Sequence, residues 1–193
     1  MRRIAADLDL HHRRWALVGG FAVSARAEPR FTRDIDAAVM ADGDADSEGL
    51  VRSLLAAGYR LLASVEQDQA GRLATVRLAC PVSDGDVVVD LLFASSGIEA
   101  EIAQAADVTE IVPGLSLPIA KTGHLIVLKL LARDDRTRPQ DLTDLRALME
   151  VATAADLAVA RESARIITAR GFDRGRDLSA ALEEAEKNAP GDS

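Results

Sequence analysis

The strand signals of this chain are confined to about its first 115 residues, a limit set by hydrophobic periodicity. Trp15-Ala-Leu-Val18, Ile35 to Met40, Tyr59 to Val65, Leu73 to Ala79 and Val87-Val-Val-Asp90-Leu-Leu-Phe93 read as short strands, with Asp84-Gly85 as a turn before the last. Between them, Ile4 to Arg13, Phe21 to Ala27, Glu48 to Ala57 and Ile98 to Ala105 carry helical spacing. The stretch from Ala41 to Asp46 reads as an acidic loop, and Gly58 as a helix stop. Pro113, Gly114 and Pro118 then mark a boundary. Beyond it Lys121 to Arg133, Pro139 to Glu150, Ala154 to Ala169 and Leu178 to Glu186 all read as helices. The expected fold is α+β: a sheet lobe over residues 1–117 followed by a helical lobe over residues 118–193.

The 193 residues suit one domain or two small packed lobes. Aromatic residues make up only 3%, so the core must be aliphatic. Acids outnumber Lys plus Arg by 31 to 23, a net charge of −8, which argues against a general nucleic-acid coat protein but leaves room for local binding of an RNA end. Arginines cluster at Arg26, Arg30 and Arg33, at Arg133, Arg136 and Arg138, and again from Arg161 to Arg176; the plain reading of such clusters is a solvated helix face. No apolar run reaches the length of a membrane span. Acids at Asp7 and Asp9 interrupt any apolar export signal, and the single Cys80 reads as a packed strand residue. Together these place the chain in a reducing cytoplasm. His11, His12 and His124 have no metal-ligand spacing.

Three acids stand out. Asp34 and Asp36 flank Ile35. On a strand, residues two apart point to one face, so the two carboxylates lie side by side while Ile35 enters the core. Like charges so close are unfavourable unless a cation lies between them, and Mg²⁺ takes one or two carboxylates plus phosphate oxygens. A lone Asp-x-Asp also occurs as an exposed strand edge, so its surroundings matter. Asp90 sits inside the apolar strand 87–93, where an unpaired charge is costly. It faces solvent, finds a cation or serves chemistry, for instance by accepting a proton from an attacking hydroxyl. Upstream, a strand ends in Gly19-Gly20 and opens a helix, a place where free backbone N–H groups bind phosphate and glycine allows close approach. Ser24, near that helix start, either donates to a phosphate or is a surface hydroxyl.

Val18-Gly-Gly-Phe-Ala-Val-Ser24, Arg30-Phe-Thr-Arg-Asp-Ile-Asp36 and Val-Val-Val-Asp90 together resemble the DNA polymerase β-type nucleotidyltransferase superfamily, and its AbiEii/AbiGii-type, MenT-like toxin branch in particular. The resemblance implies a nucleotidyltransferase-fold mixed sheet with flanking helices, and a C-terminal helical lobe that completes the active-site cleft. It extends to Lys129 in an otherwise apolar helix and to Arg138-Pro-Gln-Asp141-Leu-Thr-Asp144. By that resemblance Lys129 contacts a triphosphate, and Asp144 or Asp141, on one helix face, orients Lys129 or the acceptor; Asp144 is the choice here. A lysine in so apolar a helix suits a phosphate as a point charge, and the lesser alternative is a surface lysine laid along apolar neighbours.

The resemblance implies a metal-dependent enzyme that transfers a nucleotide from a nucleoside triphosphate to an acceptor hydroxyl. Its expected catalytic residues are Asp34, Asp36, Asp90, Lys129 and Asp144, with Asp34, Asp36 and Asp90 holding two Mg²⁺ ions. Gly19, Gly20, Ser24, Arg33 and Lys129 would bind the nucleotide. An RNA acceptor such as a tRNA end, toxin activity and a cognate antitoxin protein follow from the same branch. Many superfamily members have Gly-Ser where this chain has Gly19-Gly20, a departure that bears on the phosphate-binding hydroxyl. Two other readings compete. An aminoglycoside-type nucleotidyltransferase would need an acidic acceptor pocket, which the loop from Asp42 to Asp46 could supply. A non-catalytic binding or antitoxin module would have no need to keep three acids together.

Overall fold

The structure is a computed structural model that describes residues 1–67, 72–83, 85–133 and 139–189. Asp84, Arg136 and Arg138, each singled out above, lie outside the described residues. Helix α1 (Arg2–Leu10) buries Ile4, Ala5 and Leu8, spaced to share one face. Strand β1 (Trp15–Val18) is buried along its whole length and runs without a loop into α2 (Gly19–Arg26). A loop of residues 27–34 leads to β2 (Ile35–Val39). Helix α3 (Asp44–Ala56) starts earlier than the sequence suggests, inside the acidic loop. Asp44 and Asp46 fall in its first turn, where the helix dipole favours carboxylates. Strands β3 (Arg60–Gln67), β4 (Arg72–Val82) and β5 (Gly85–Leu92) form a meander, followed by α4 (Glu99–Ala105).

The proline-rich stretch read as a boundary folds as a hairpin. Strands β6 (Asp107–Val112) and β7 (Leu115–Ile119) pair antiparallel around Pro113-Gly114, and Gly114 takes the positive φ of +72° that the turn requires. Their polar alternation, with Asp107, Thr109 and Glu110 in one strand, hid them from a search for apolar runs. Strand β7 crosses the expected division between residues 117 and 118.

All seven strands form one mixed sheet in the order β3-β4-β5-β2-β1-β7-β6. Four helices follow: α5 (Thr122–Ala132), α6 (Pro139–Val151), α7 (Ala154–Ala169) and α8 (Leu178–Asn188). The fold is therefore α+β, a mixed sheet with flanking helices. One aliphatic cluster runs from Ile4 to Leu182, so the C-terminal helices share the core of the sheet. Helix α5 is buried over most of its length. It approaches α7 so closely that a Cβ on Gly123 would stand 2.2 Å from the backbone oxygen of Asp156. Asp156 also completes a capping box with Thr153, which fixes where α7 begins.

Candidate active site

The site begins where β1 turns into α2. Gly19 has φ +60°, and a Cβ there would lie 2.0 Å from Asp36 Oδ2. Asp36 therefore rests its carboxylate directly on the α-carbon of Gly19, which only glycine permits. A Cβ on Gly20 would crowd Arg30 Nη2 at 2.7 Å and Thr32 Oγ1 at 2.8 Å. The two glycines thus seat the carboxylate and the loop before β2. The N-cap residue Val18 gives α2 no side-chain cap.

Strand pairing brings the three acids together. In the register of β2 and β5, which run parallel, Asp36 stands opposite Asp90, and Asp34 lies just ahead of β2. All three line one cleft of about 1080 Å³. Burial, then the neighbouring Asp90, pushes the Asp36 carboxyl up to about 7; Lys129 pulls the other way, and Asp34 adds to the rise. Arg77, which was not among the expected site residues, answers part of that charge. It sits on β4 directly opposite Asp90. Its Nε and Nη2 donate to the two Asp90 oxygens at 2.8 and 2.6 Å, and Nη2 also reaches Asp34 at 3.3 Å. These bonds push the guanidinium above its ordinary range. The sequence signal for Arg77 was a lone charge in the middle of an apolar strand, the same signal that marked Asp90.

Helices α5 and α6 supply the opposite wall. Lys129 Nζ donates to Asp141 Oδ1 at 2.7 Å and lies 2.7 Å from Asp144 Oδ2. Asp144 is 1% exposed. It also accepts from Arg30 Nε and Nη2, at 2.6 and 2.7 Å, and from Gln140 at 3.1 Å. Burial alone would raise the Asp144 carboxyl, but the bonds from Arg30 and Lys129 outweigh it and hold it below its usual range. Lys129 and Asp141 line the same cleft as the three acids of the sheet. Three carboxylates at the sheet make one wall that calls for a cation, and the strand-to-helix corner and the lysine facing them supply groups able to meet anionic oxygens.

A family model for nucleotidyl transferase AbiEii toxins of type IV toxin–antitoxin systems matches residues 3–191. The chain belongs to the AbiEii family. No curated protein matches it. Among solved structures it is similar to an antigenic nucleotidyltransferase-like protein from Paracoccidioides brasiliensis, with 18% identity and a TM-score of 0.52 over 93% of this chain and 88% of that one. It is also similar to the antibiotic-resistance factor ANT(2″)-Ia, with 18% identity and a TM-score of 0.53 over 96% of this chain and 94% of that one. At such identities the likeness establishes the nucleotidyltransferase fold.

Other expected residues of the AbiEii-type site have different surroundings. The Ser24 hydroxyl accepts from the Arg30 backbone N–H at 3.2 Å and donates to the Arg30 carbonyl at 3.3 Å, and it does not line the cleft. Its observed role is to clamp the loop. Arg26 is spent on the carbonyls of Ile119 and Ala120 and on Asp107, and Arg30 on Asp144. Of that first arginine cluster only Arg33 is exposed, and it lines the cleft. The acidic residues 42–46 are not part of the cleft: Asp46 pairs with Arg13 at 2.6 Å, and Asp44 accepts from the Leu73 N–H at 3.1 Å. The acidic acceptor pocket expected of an aminoglycoside-type enzyme therefore has no source in that loop. Later arginines pair locally, Arg161 with Glu186 and Arg165 with Glu162, as a solvated face does. Cys80 is buried in β4. Among the described residues no group of three or more His, Cys, Asp and Glu side chains is arranged to hold a metal, and Arg77 bridges Asp90 and Asp34. No helix among them is long and apolar enough to cross a membrane.

Proposed function

We propose that this protein transfers a nucleoside monophosphate from a nucleoside triphosphate to a hydroxyl of an RNA acceptor, such as a tRNA end, and acts as the toxin of a toxin–antitoxin pair whose antitoxin is a separate protein. The observation that carries the reading is Lys129 facing the Asp34, Asp36 and Asp90 cluster across one cleft. The residues fit Mg²⁺. Asp34 and Asp90 share the Arg77 guanidinium while Asp36 adds a third carboxyl beside them, and the oxygens the three present are hard donors. Asp34 and Asp36 would hold the ions; Asp90 joins them only by releasing an oxygen from Arg77. Bound there, two ions would supply charge stabilisation to both the attacking and the leaving oxygen.

The chain's own groups do the rest. The N–H groups at the start of α2 cradle the phosphates beside Gly19 and Gly20. An ammonium has three donors, and Lys129 places two of them on Asp141 and Asp144, leaving one for the triphosphate. Asp144, through Arg30 as well, fixes the height of Lys129 above the sheet. Asp90 receives the proton of the attacking hydroxyl as the phosphorus–oxygen bond to pyrophosphate breaks.

The test incubates the protein with each α-labelled nucleoside triphosphate, Mg²⁺ and total tRNA. Label transferred to RNA from one triphosphate, and abolished by a chelator, is expected. Label that enters an aminoglycoside but no RNA would replace the acceptor class, and no transfer at all would favour a binding module.

A further inference from the structure

Five of the six aromatic side chains are packed away: Trp15, Tyr59 and Phe93 are buried, and Phe21 and Phe172 half-buried. Phe31 is 80% exposed. It lies in the loop of residues 27–34, only three positions before Asp34. The main chain beneath it is not loose. Ser24 grips both backbone polar groups of Arg30, the Arg30 guanidinium is forked onto buried Asp144, and Nη1 of Arg30 donates to the Phe31 carbonyl at 3.2 Å. Charge-assisted bonds thus fix the backbone while the ring points into water. The guanidinium of Arg33 lies 5.6 Å from the ring centroid, and Arg33 is also exposed and lines the cleft. A held-out aromatic ring with a cation against it is the combination that receives an unpaired nucleobase and its phosphate.

We propose that Phe31 and Arg33 form a stacking platform, at the rim of the cleft, for an unpaired base at the reacting end of the RNA acceptor. This rests on the RNA-acceptor reading above. The base stacks on the ring face turned away from Arg33, and Arg33 meets a phosphate of the same strand. The ring is outside the cleft lining, whereas the triphosphate's place is inside it, between Gly19-Gly20 and Lys129, so the platform serves the acceptor. A cationic small molecule has nothing to gain from Arg33, which repels it.

The test measures anisotropy of a 5′-labelled single-stranded RNA on the full chain, beside a matched probe lacking the bases at its 3′ end. Phe31→Ala weakens binding of the intact RNA about tenfold, within the range for losing one base–aromatic stack. Phe31→Trp retains it, and the abasic probe binds wild type and Phe31→Ala alike. Arg33→Gln reduces the slope of log Kd against log salt by about 0.7, the share of one single-strand phosphate. Equal affinity of wild type and Phe31→Ala for the intact RNA overturns the platform and leaves the RNA reading standing. Equal losses on both probes overturn it as well. A raised Kd for nucleoside triphosphate with unchanged RNA affinity assigns the ring to the incoming base and overturns it too. If wild type binds no RNA, the acceptor reading and the platform fall together.

Discussion

Two clusters of acids face each other across the cleft, and they are built on opposite principles. On the helical side, Asp141 and Asp144 share Lys129, and Asp144 also holds the forked guanidinium of Arg30. Two negative charges meet two positive ones around the buried Asp144. On the sheet side, Asp34 and Asp90 share Arg77, the one ion-pair partner of the three acids seen among the described residues, and burial with Asp90 close by pushes the Asp36 carboxyl up to about 7. The balanced cluster locks an arrangement. The unbalanced one keeps negative charge in hand, which makes sense where a cation is to be received. Charge count in a cluster, more than the number of acids, separates a positioning element from a binding site.

The most damaging way to test this contrast is to open the balanced cluster. Asp144→Ala strands Arg30 and Lys129 without their shared partner, and should cost about 3 to 5 kcal/mol in a urea unfolding titration, the usual scale for breaking a buried ion pair. A loss within the range of a surface substitution would show that the cluster is not a lock. The unbalanced cluster predicts the reverse. Asp36→Asn should lower nucleotide transfer by about 10³-fold, the upper range for one lost transition-state contact, while the melting temperature holds or rises because crowded like charge is relieved. Transfer at the wild-type rate by the folded variant would rule out this site.

Lys129 belongs to both sides, so its removal should show both signatures. Lys129→Met is expected to reduce transfer by about 10²-fold. It should also destabilise the fold, because Asp141 keeps no cation among the described residues and one of its oxygens is already without a hydrogen-bond partner. A plain surface lysine laid along apolar neighbours would give neither effect. Adding Asp141→Asn should restore stability and leave transfer low; recovery of both would make Lys129 purely structural.

A buried base outside both clusters offers the mildest test. His124 is buried on α5, and burial first, then Lys121, depresses it from 6.5 to about 4, with Glu101 opposing. The unfolded chain therefore takes up this proton at a higher pH than the folded one does. Its contribution is full above about pH 6.5 and is lost as pH falls toward 4. From pH 7 to 5 the loss should be about 2 kcal/mol. His124→Leu should remove that part of the pH dependence in paired urea titrations, and an unchanged slope would mean that folding does not shift His124.

What the sequence disclosed follows from which interactions are local. The limits of β1 and α7 were legible, since four consecutive apolar residues and a Thr153 to Asp156 capping box are written in adjacent positions. The likeness to nucleotidyltransferases lay in short motifs, and the family match and the fold agree with it. The hairpin of β6 and β7 was not legible, because its strands are half polar and Pro113-Gly114 turns the chain within it. Ser24 stood open as a phosphate donor and Arg30 read as part of a solvated face because the contacts that hold them come from the fold: Asp144 is 114 positions from Arg30. Arg77 was missed for the same reason, since only the β4 and β5 register sets it opposite Asp90.

The contact between Gly19 and Asp36 has a consequence for inheritance. All glycine codons share their first two bases, and any change at either one encodes a residue with a side chain or a stop. At position 19 such a side chain would begin 2.0 Å from the Asp36 carboxylate, on a backbone with φ +60°. Two in three single-base errors in this one codon would thus press a side chain into the corner. In a gene of a toxin family, the corner that makes the cleft so compact is thus also a point where common errors meet hard steric limits.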